Sequence, residues 1–77
     1  MDLRAIFAAN MRRLRNAKGL SQEALAHEAG VNRSYFARIE AGRPYVGLDI
    51  IGRLAEALEV EPAELVRLPP KRASRTR

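Results

Sequence analysis

A stretch near the middle of the chain constrains the fold more than any other, because its pattern is typical of two short helices joined by a tight turn. Residues 21–42 have the sequence SQEALAHEAGVNRSYFARIEAG. Ser21 can cap the first helix, and Gly30 can adopt the left-handed conformation that ends it. Asn32 can cap the second helix. The rest of the chain is expected to support that second helix.

The helix that follows Asn32 has two chemically different faces. Phe36 and Ile39 lie three residues apart on one side, with Glu40 beside them, and this side is expected to face the core. The other side offers a partner two guanidinium groups, a hydroxyl group and a methyl group, which belong to Arg33, Arg38, Ser34 and Ala37.

This stretch resembles the helix-turn-helix of the Cro/XRE family of phage and bacterial repressors. The resemblance rests on spaced positions through the motif: Gln22, Ala26, Gly30, Val31, Phe36 and the ending Ile39-Glu40-Ala41-Gly42. The small Ala26 has a physical reason, since a larger side chain would push apart two helices that cross closely. The resemblance covers about residues 3–68 and implies an all-α, lambda-repressor-like domain of five helices.

Periodicity and helix-stop residues predict the three helices outside the motif. The first spans residues 3–18, with Asp2 as its cap. The fourth follows Gly47, runs to about Glu59, and is expected to turn Leu48, Ile51, Leu54, Ala55 and Leu58 to the core. A short fifth helix begins at Pro62. Family members commonly have glycine at the position of Glu59 and proline at that of Val46, so these boundaries are expected to shift by a residue or two.

Length and charge point to one small domain, residues 1–68, followed by a tail, residues 69–77. The net charge of +5 is concentrated in that tail, because residues 1–68 hold ten basic and nine acidic side chains. Within the domain, residues 1–48 hold eight basic and four acidic side chains, whereas residues 49–68 hold two and five. This separation of charge suits a domain with its basic end near phosphates and its acidic end away from them. It is equally consistent with two solvated faces. The tail is expected to be disordered, and whether it attracts phosphates stays open.

Sequence-specific readout of DNA requires polar side chains near the start of a helix inserted in the major groove. The candidates for base contacts are Asn32, Arg33, Ser34, Ala37 and Arg38. Arginine suits the paired acceptors of guanine, and asparagine suits adenine, but the sequence alone leaves open which candidate reads which base. By resemblance, Gln22 binds a phosphate at the start of the preceding helix. Arg43 lies in a loop beside this face, and Tyr35 either reaches a phosphate or packs on the neighbouring helix.

The resemblance also implies a structural ion pair. In many family members an arginine at the position of Arg15 binds the glutamate that is here Glu40, which ties the first helix to the third. Such a pair would fix geometry more than it adds net stability, because desolvation of two charges cancels much of their attraction.

The remaining features favour a binding protein over an enzyme. The chain has no cysteine, and its single histidine, His27, has no readable catalytic or metal-binding partner, so neither a metal site nor a cofactor is expected. With no apolar run of membrane-spanning length and no signal-peptide pattern, a cytoplasmic protein is expected. We therefore predict a transcriptional regulator, either a repressor or an autoregulatory controller, that binds an inverted-repeat operator as a homodimer through the major groove. Its interface is expected at Ile50, Val66 and Leu68. The alternative is a protein-interaction module on the same fold, such as an anti-activator or an antitoxin.

Overall fold

The computed structural model describes residues 1–69, and these form five α-helices with no strand among them. The helices are α1 (Leu3–Ala17), α2 (Gln22–Ala29), α3 (Arg33–Glu40), α4 (Leu48–Leu58) and α5 (Ala63–Val66). The predicted all-α, five-helix domain is thereby confirmed. The predicted tail lies outside the described residues except for Pro69. Within the described part of the chain, no helix has the length and apolarity needed to span a membrane.

The predicted caps are present at the starts of the first three helices. Asp2 accepts a hydrogen bond from the backbone N–H of Arg4 at 3.0 Å, and the Ser21 hydroxyl accepts one from Ala24 at 3.0 Å. Gly30 ends α2 in the left-handed region, with φ 69°. The N–H of Val31 then bonds the carbonyl of Ala26 at 2.9 Å. This closed turn sets the direction in which α3 leaves α2.

The core lies between α1, α2, α3 and α4 and is closed at one end by α5. Its largest fully buried side chains are Phe36, Met11, Leu25, Ile39, Leu54 and Leu65. The prediction for the apolar face of α4 is wrong at Leu48, which is 86% exposed. Leu48 is the first residue of α4 and follows the loop directly, so the helix has not yet reached the core at that point.

The end of α4 was expected to shift because Glu59 stands where family members commonly have glycine. The helix instead ends at Leu58, with Glu59 as its C-cap. Glu59 takes the left-handed conformation itself, with φ 60°, and is the only residue other than glycine with positive φ in the described part of the chain. Its carboxylate accepts a hydrogen bond from Lys18 Nζ at 2.7 Å, and this bond lowers the pKa of Glu59. The helix therefore ends where glycine would end it, in a conformation that is costly for glutamate.

Asn10 forms a buried link that the sequence did not reveal. Its Nδ2 donates to the carbonyl of Leu65 at 3.0 Å and to that of Arg67 at 2.9 Å, while its Oδ1 accepts from Arg13. Asn10 is buried in α1, where an amide without partners would be costly, and the two carbonyls satisfy its amide nitrogen. These bonds hold both the end of α5 and the residue that follows it against α1.

Candidate nucleic-acid interface

Helix α3 presents a polar face to solvent because its apolar residues anchor it from the opposite side. Phe36 is fully buried, and Ile39 and Glu40 are 1% and 4% exposed. The residues predicted to contact bases are all exposed; they are Asn32, Arg33, Ser34, Ala37 and Arg38. Within residues 1–69, no ion pair or side-chain hydrogen bond occupies the guanidinium of Arg33 or Arg38. Both groups are therefore available to an external acceptor.

Tyr35 lies between the buried and exposed faces of α3. Its ring is half-buried and packs against the core, which corresponds to the packing alternative for this residue. The guanidinium carbon of Arg38 lies 5.8 Å from the centre of the Tyr35 ring, within the range of a cation–π contact. The ring can thus limit the positions that Arg38 adopts on the surface.

The buried carboxylate of Glu40 joins α1, α2 and α3. Arg15 on α1 donates from Nε to Oε2 at 2.6 Å and from Nη2 to Oε1 at 3.3 Å. Arg15 is itself largely buried, with 13% of its side chain exposed, and its Nη1 donates to the carbonyl of Leu20 at 2.8 Å. Arg12 donates to the carbonyl of Glu40. The pair that the resemblance implied is therefore part of a larger network.

Gln22 gives the third side-chain hydrogen bond to this carboxylate. Its Nε2 lies 2.7 Å from Oε1 of Glu40. A carboxylate only accepts hydrogen bonds when ionised, so this contact fixes which end of the Gln22 amide faces the protein. One hydrogen on Nε2 remains available to a phosphate, but the side chain also has a structural partner that the sequence did not indicate.

Asn32 has the capping role that was predicted for it, in addition to the base contact for which it is a candidate. Its Oδ1 accepts a hydrogen bond from the backbone N–H of Tyr35 at 3.1 Å and caps α3. The side chain is exposed at the start of the helix, next to Arg33.

The loop after α3 is held to the start of α1. The backbone N–H of Arg43 bonds the carbonyl of Arg38 at 3.1 Å, and the carbonyl of Arg43 accepts from Arg4 Nη1 at 3.3 Å. Arg4 also lies over the ring of Tyr45, 4.7 Å from its centre, and lowers the pKa of Asp2 through a side-chain hydrogen bond. The exposed side chain of Arg43 is thus carried by an anchored backbone beside the end of α3.

The three residues predicted to form the dimer interface differ in their exposure to solvent. Val66 and Leu68 are 41% and 52% exposed, whereas Ile50 is half-buried and packs against the core. Val66 borders a shallow apolar groove of about 120 Å³, which is lined also by Leu3, Arg4, Phe7, Pro44, Tyr45, Val46 and Ile51. Sequence reasoning missed Tyr45 as part of this surface, although the residue is 72% exposed.

No group of three or more His, Cys, Asp or Glu side chains in the described residues is arranged to hold a metal ion.

Comparison with known proteins identifies similar sequences and structures. A family model described as a helix-turn-helix domain matches residues 6–68. A hypothetical transcription factor of Neisseria meningitidis is 44% identical over 70 residues, which are 91% of this chain and 65% of that protein. The chain thus spans slightly less than two thirds of that relative's length. The control protein C.BamHI of Bacillus amyloliquefaciens is 38% identical over 66 residues, covering 84% of this chain and 82% of that protein.

A solved structure is also similar to this chain, both in sequence and in fold. It is the restriction-modification controller protein C.AhdI from Aeromonas hydrophila, which is 48% identical with a TM-score of 0.78. The match covers 80% of this chain and 94% of that one.

Proposed function

The chain belongs to the helix-turn-helix domain family, and on that premise we propose that it is a transcriptional regulator that recognises a specific DNA sequence. Helix α3 would enter the major groove, where an α-helix fits and base edges can be distinguished. Gene regulation by such binding is an equilibrium process, and it requires no catalytic group or cofactor. The protein would work where the chromosome is, in the cytoplasm of a bacterial cell.

The observation that carries this proposal is the exposed guanidinium pair on a rigidly anchored helix. Arg33 and Arg38 have no side-chain hydrogen-bond partner in the described residues, while α3 is fixed from behind by Phe36 and by the Glu40 network. A bidentate contact between arginine and guanine is the commonest specific base contact, and it requires a well-positioned guanidinium. Ser34 and the Ala37 methyl group lie on the same face and would add contacts to neighbouring bases.

Phosphate contacts would come from the two ends of this face. Gln22 has one free amide hydrogen at the start of α2, where the backbone N–H groups also favour an anion. Arg43 follows the end of α3, and its backbone is held by Arg4. These contacts would set the register of α3 on the duplex without reading its sequence. Tyr35 is half-buried against the core, which makes it the weakest phosphate candidate.

The operator would be bound by a homodimer. A single recognition helix contacts too few base pairs for specificity in a genome, and a two-fold dimer places two such helices about 34–36 Å apart in successive major grooves. The exposed apolar side chains of Val66 and Leu68, together with Tyr45 at the rim of the groove, provide a surface for this contact. Ile50 contributes less because the core already covers part of it.

The alternative function, a protein-interaction module, has less support. The relatives described above are named as a transcription factor and as control proteins, not as anti-activators or antitoxins. In the proposed homodimer a second copy of the chain would cover the exposed apolar groove.

Selection of DNA ligands from a random duplex pool tests the proposed function. We expect purified protein to enrich an inverted repeat whose half-site centres are about 10 base pairs apart. Enrichment of no sequence above the starting pool would contradict the proposal. A protein partner recovered by pull-down together with failed DNA selection would favour the interaction module.

A further inference from the structure

The cap of α3 restricts what Asn32 can offer to DNA. Its Oδ1 is bonded to the N–H of Tyr35, so the oxygen faces the first turn of the protein's own helix. The other end of the amide, Nδ2, carries two hydrogens and forms no hydrogen bond within residues 1–69. A planar amide held at its oxygen in this way presents donors to the solvent.

This orientation conflicts with the contact that asparagine usually makes with a base. A bidentate pair with adenine needs the amide oxygen to accept from N6 while the amide nitrogen donates to N7. Turning Oδ1 toward the base edge would withdraw it from the N–H of Tyr35 and leave the first turn of α3 without its side-chain cap. The pairing that asparagine usually makes with adenine is therefore disfavoured for Asn32.

We infer that Asn32 is a specificity-determining residue that reads guanine through its two amide hydrogens. Guanine is the base that presents two neighbouring acceptors, O6 and N7, in the major groove. One side chain thus performs two tasks: its oxygen caps α3, and its nitrogen contacts the base. Arg33, the next residue, has an exposed guanidinium and is suited to an adjacent base pair. This inference rests on the proposed function and gives one position of the half-site a definite base.

Two substitutions separate the cap from the base contact. Asn32→Ser keeps a side-chain oxygen that can cap α3 but removes the amide donors, so the melting temperature should change little. Asn32→Asp also keeps the cap, and its negative charge suits the helix N-terminus. The carboxylate oxygen that replaces the amide nitrogen in this variant, however, accepts hydrogen bonds, whereas the amide nitrogen of Asn32 donates them. A carboxylate can accept a hydrogen bond from N4 of cytosine.

The experiment starts from the operator selected by the wild-type protein, so a failure of the proposed function appears at that step, before Asn32 is tested. Affinities of the wild type and both variants are then measured on duplexes that carry each of the four base pairs at every half-site position. We expect one position at which the wild type prefers guanine. Asn32→Ser should reduce that preference by about 10-fold and leave the other positions unchanged, and Asn32→Asp should shift the preference there to cytosine.

Three results would overturn the inference. The first is an adenine preference at the position that Asn32→Ser affects, since it would mean that the amide turns on binding. The second is an equal loss on all sequences, which would indicate a phosphate contact. The third is no change at any position in a variant with an unchanged melting temperature, which would leave Asn32 as a cap alone.

Discussion

At the scale of single residues, the carboxylate of Glu40 is the point where three helices meet. It is 4% exposed and accepts hydrogen bonds from Arg15 on α1 and from Gln22 on α2. A buried charge of this kind is tolerated only while its partners remain, because desolvation is costly for an unpaired ion. Its main effect is therefore on the placement of α3 relative to its neighbours.

A double-mutant cycle tests this account of Glu40. Arg15→Met should destabilise the domain by about 3 kcal/mol because it leaves the carboxylate buried without its main partner. The double variant Arg15→Met, Glu40→Leu should be more stable than that single variant, since it removes both charges together. Thermal or denaturant unfolding of the wild type, both single variants and the double variant gives the coupling. Strictly additive effects would show that the two side chains do not interact.

The exposed arginines of α3 lead to a different prediction at the same scale. Arg33→Ala and Arg38→Ala should each weaken binding to the selected operator by about 1–3 kcal/mol, because each removes a potential bidentate base contact. Both residues are exposed, so the melting temperature should stay nearly constant. Competition between operator and scrambled duplex at fixed salt measures the effect.

Arg13→Ala is a suitable control for these variants. It removes the same charge from a different face, where Arg13 contacts Asn10. A similar loss on operator and scrambled DNA for Arg33→Ala or Arg38→Ala would exclude a base-reading role for that arginine.

Individual residues also indicate how far sequence reasoning reaches. The caps Asp2, Ser21 and Asn32 were predictable because capping depends on residues close in the chain. The amide of Gln22 was predicted to bind phosphate, but its contact with Glu40 links residues eighteen positions apart and follows only from how the helices pack. The role of Asn10 was missed for the same reason, since an asparagine within a helix gives no local sign of its distant carbonyl partners.

At the scale of helices, α4 illustrates both the strength and the limit of periodicity. The pattern correctly predicts that Leu54, Ala55 and Leu58 are buried, because they lie in the middle of the helix where the core is present. It is wrong for Leu48, because a periodic pattern does not reveal where along its length a helix meets its neighbours. The short α5 was located from Pro62, although Pro62 precedes the first helical residue instead of occupying it.

The left-handed end of α4 predicts a stabilising substitution. Glu59→Gly should raise the melting temperature by about 4 °C, because glycine adopts positive φ without the steric cost that glutamate has there. The substitution also removes the exposed contact with Lys18, which is expected to matter little.

The variant Lys18→Gln is the matched control, since it breaks the same contact and leaves the backbone of α4 unchanged. If Glu59→Gly is no more stable than Lys18→Gln, the left-handed conformation at this position is not strained.

At the scale of the whole molecule, the two candidate functional surfaces depend on different parts of the chain. The polar face of α3 is held by α1 and α2 through Glu40, whereas the apolar groove lies between α1, the loop after α3, α4 and α5. The sequence indicated the first surface because its candidate base-contact residues lie within one short stretch, residues 32–38, and all of them are exposed. The second was predicted only through Val66, since Tyr45 and Leu3 reach the groove from distant parts of the sequence.

The proposed dimer predicts how the two surfaces are coupled. Val66→Glu should give a folded monomer, because the side chain is 41% exposed and a charge there would oppose burial against a second copy. Operator binding should fall steeply, since two half-sites would no longer be bound as one unit. Sedimentation of wild type and variant at matched concentrations measures the effect.

Ala9→Glu, which adds the same charge at an exposed position of α1 outside this groove, is the control. A Val66→Glu protein that still dimerises would mean that the interface lies elsewhere.

The most direct test of the central claim, sequence-specific recognition by α3, is the ratio of two affinities. The wild-type protein is titrated at one salt concentration against the selected operator and against a scrambled duplex of the same length and base composition. The proposed function predicts that the operator is bound about 1,000-fold more tightly or better, which is typical of specific DNA-binding proteins. Equal affinity for the two duplexes would contradict it, because charge attraction alone would then account for all binding.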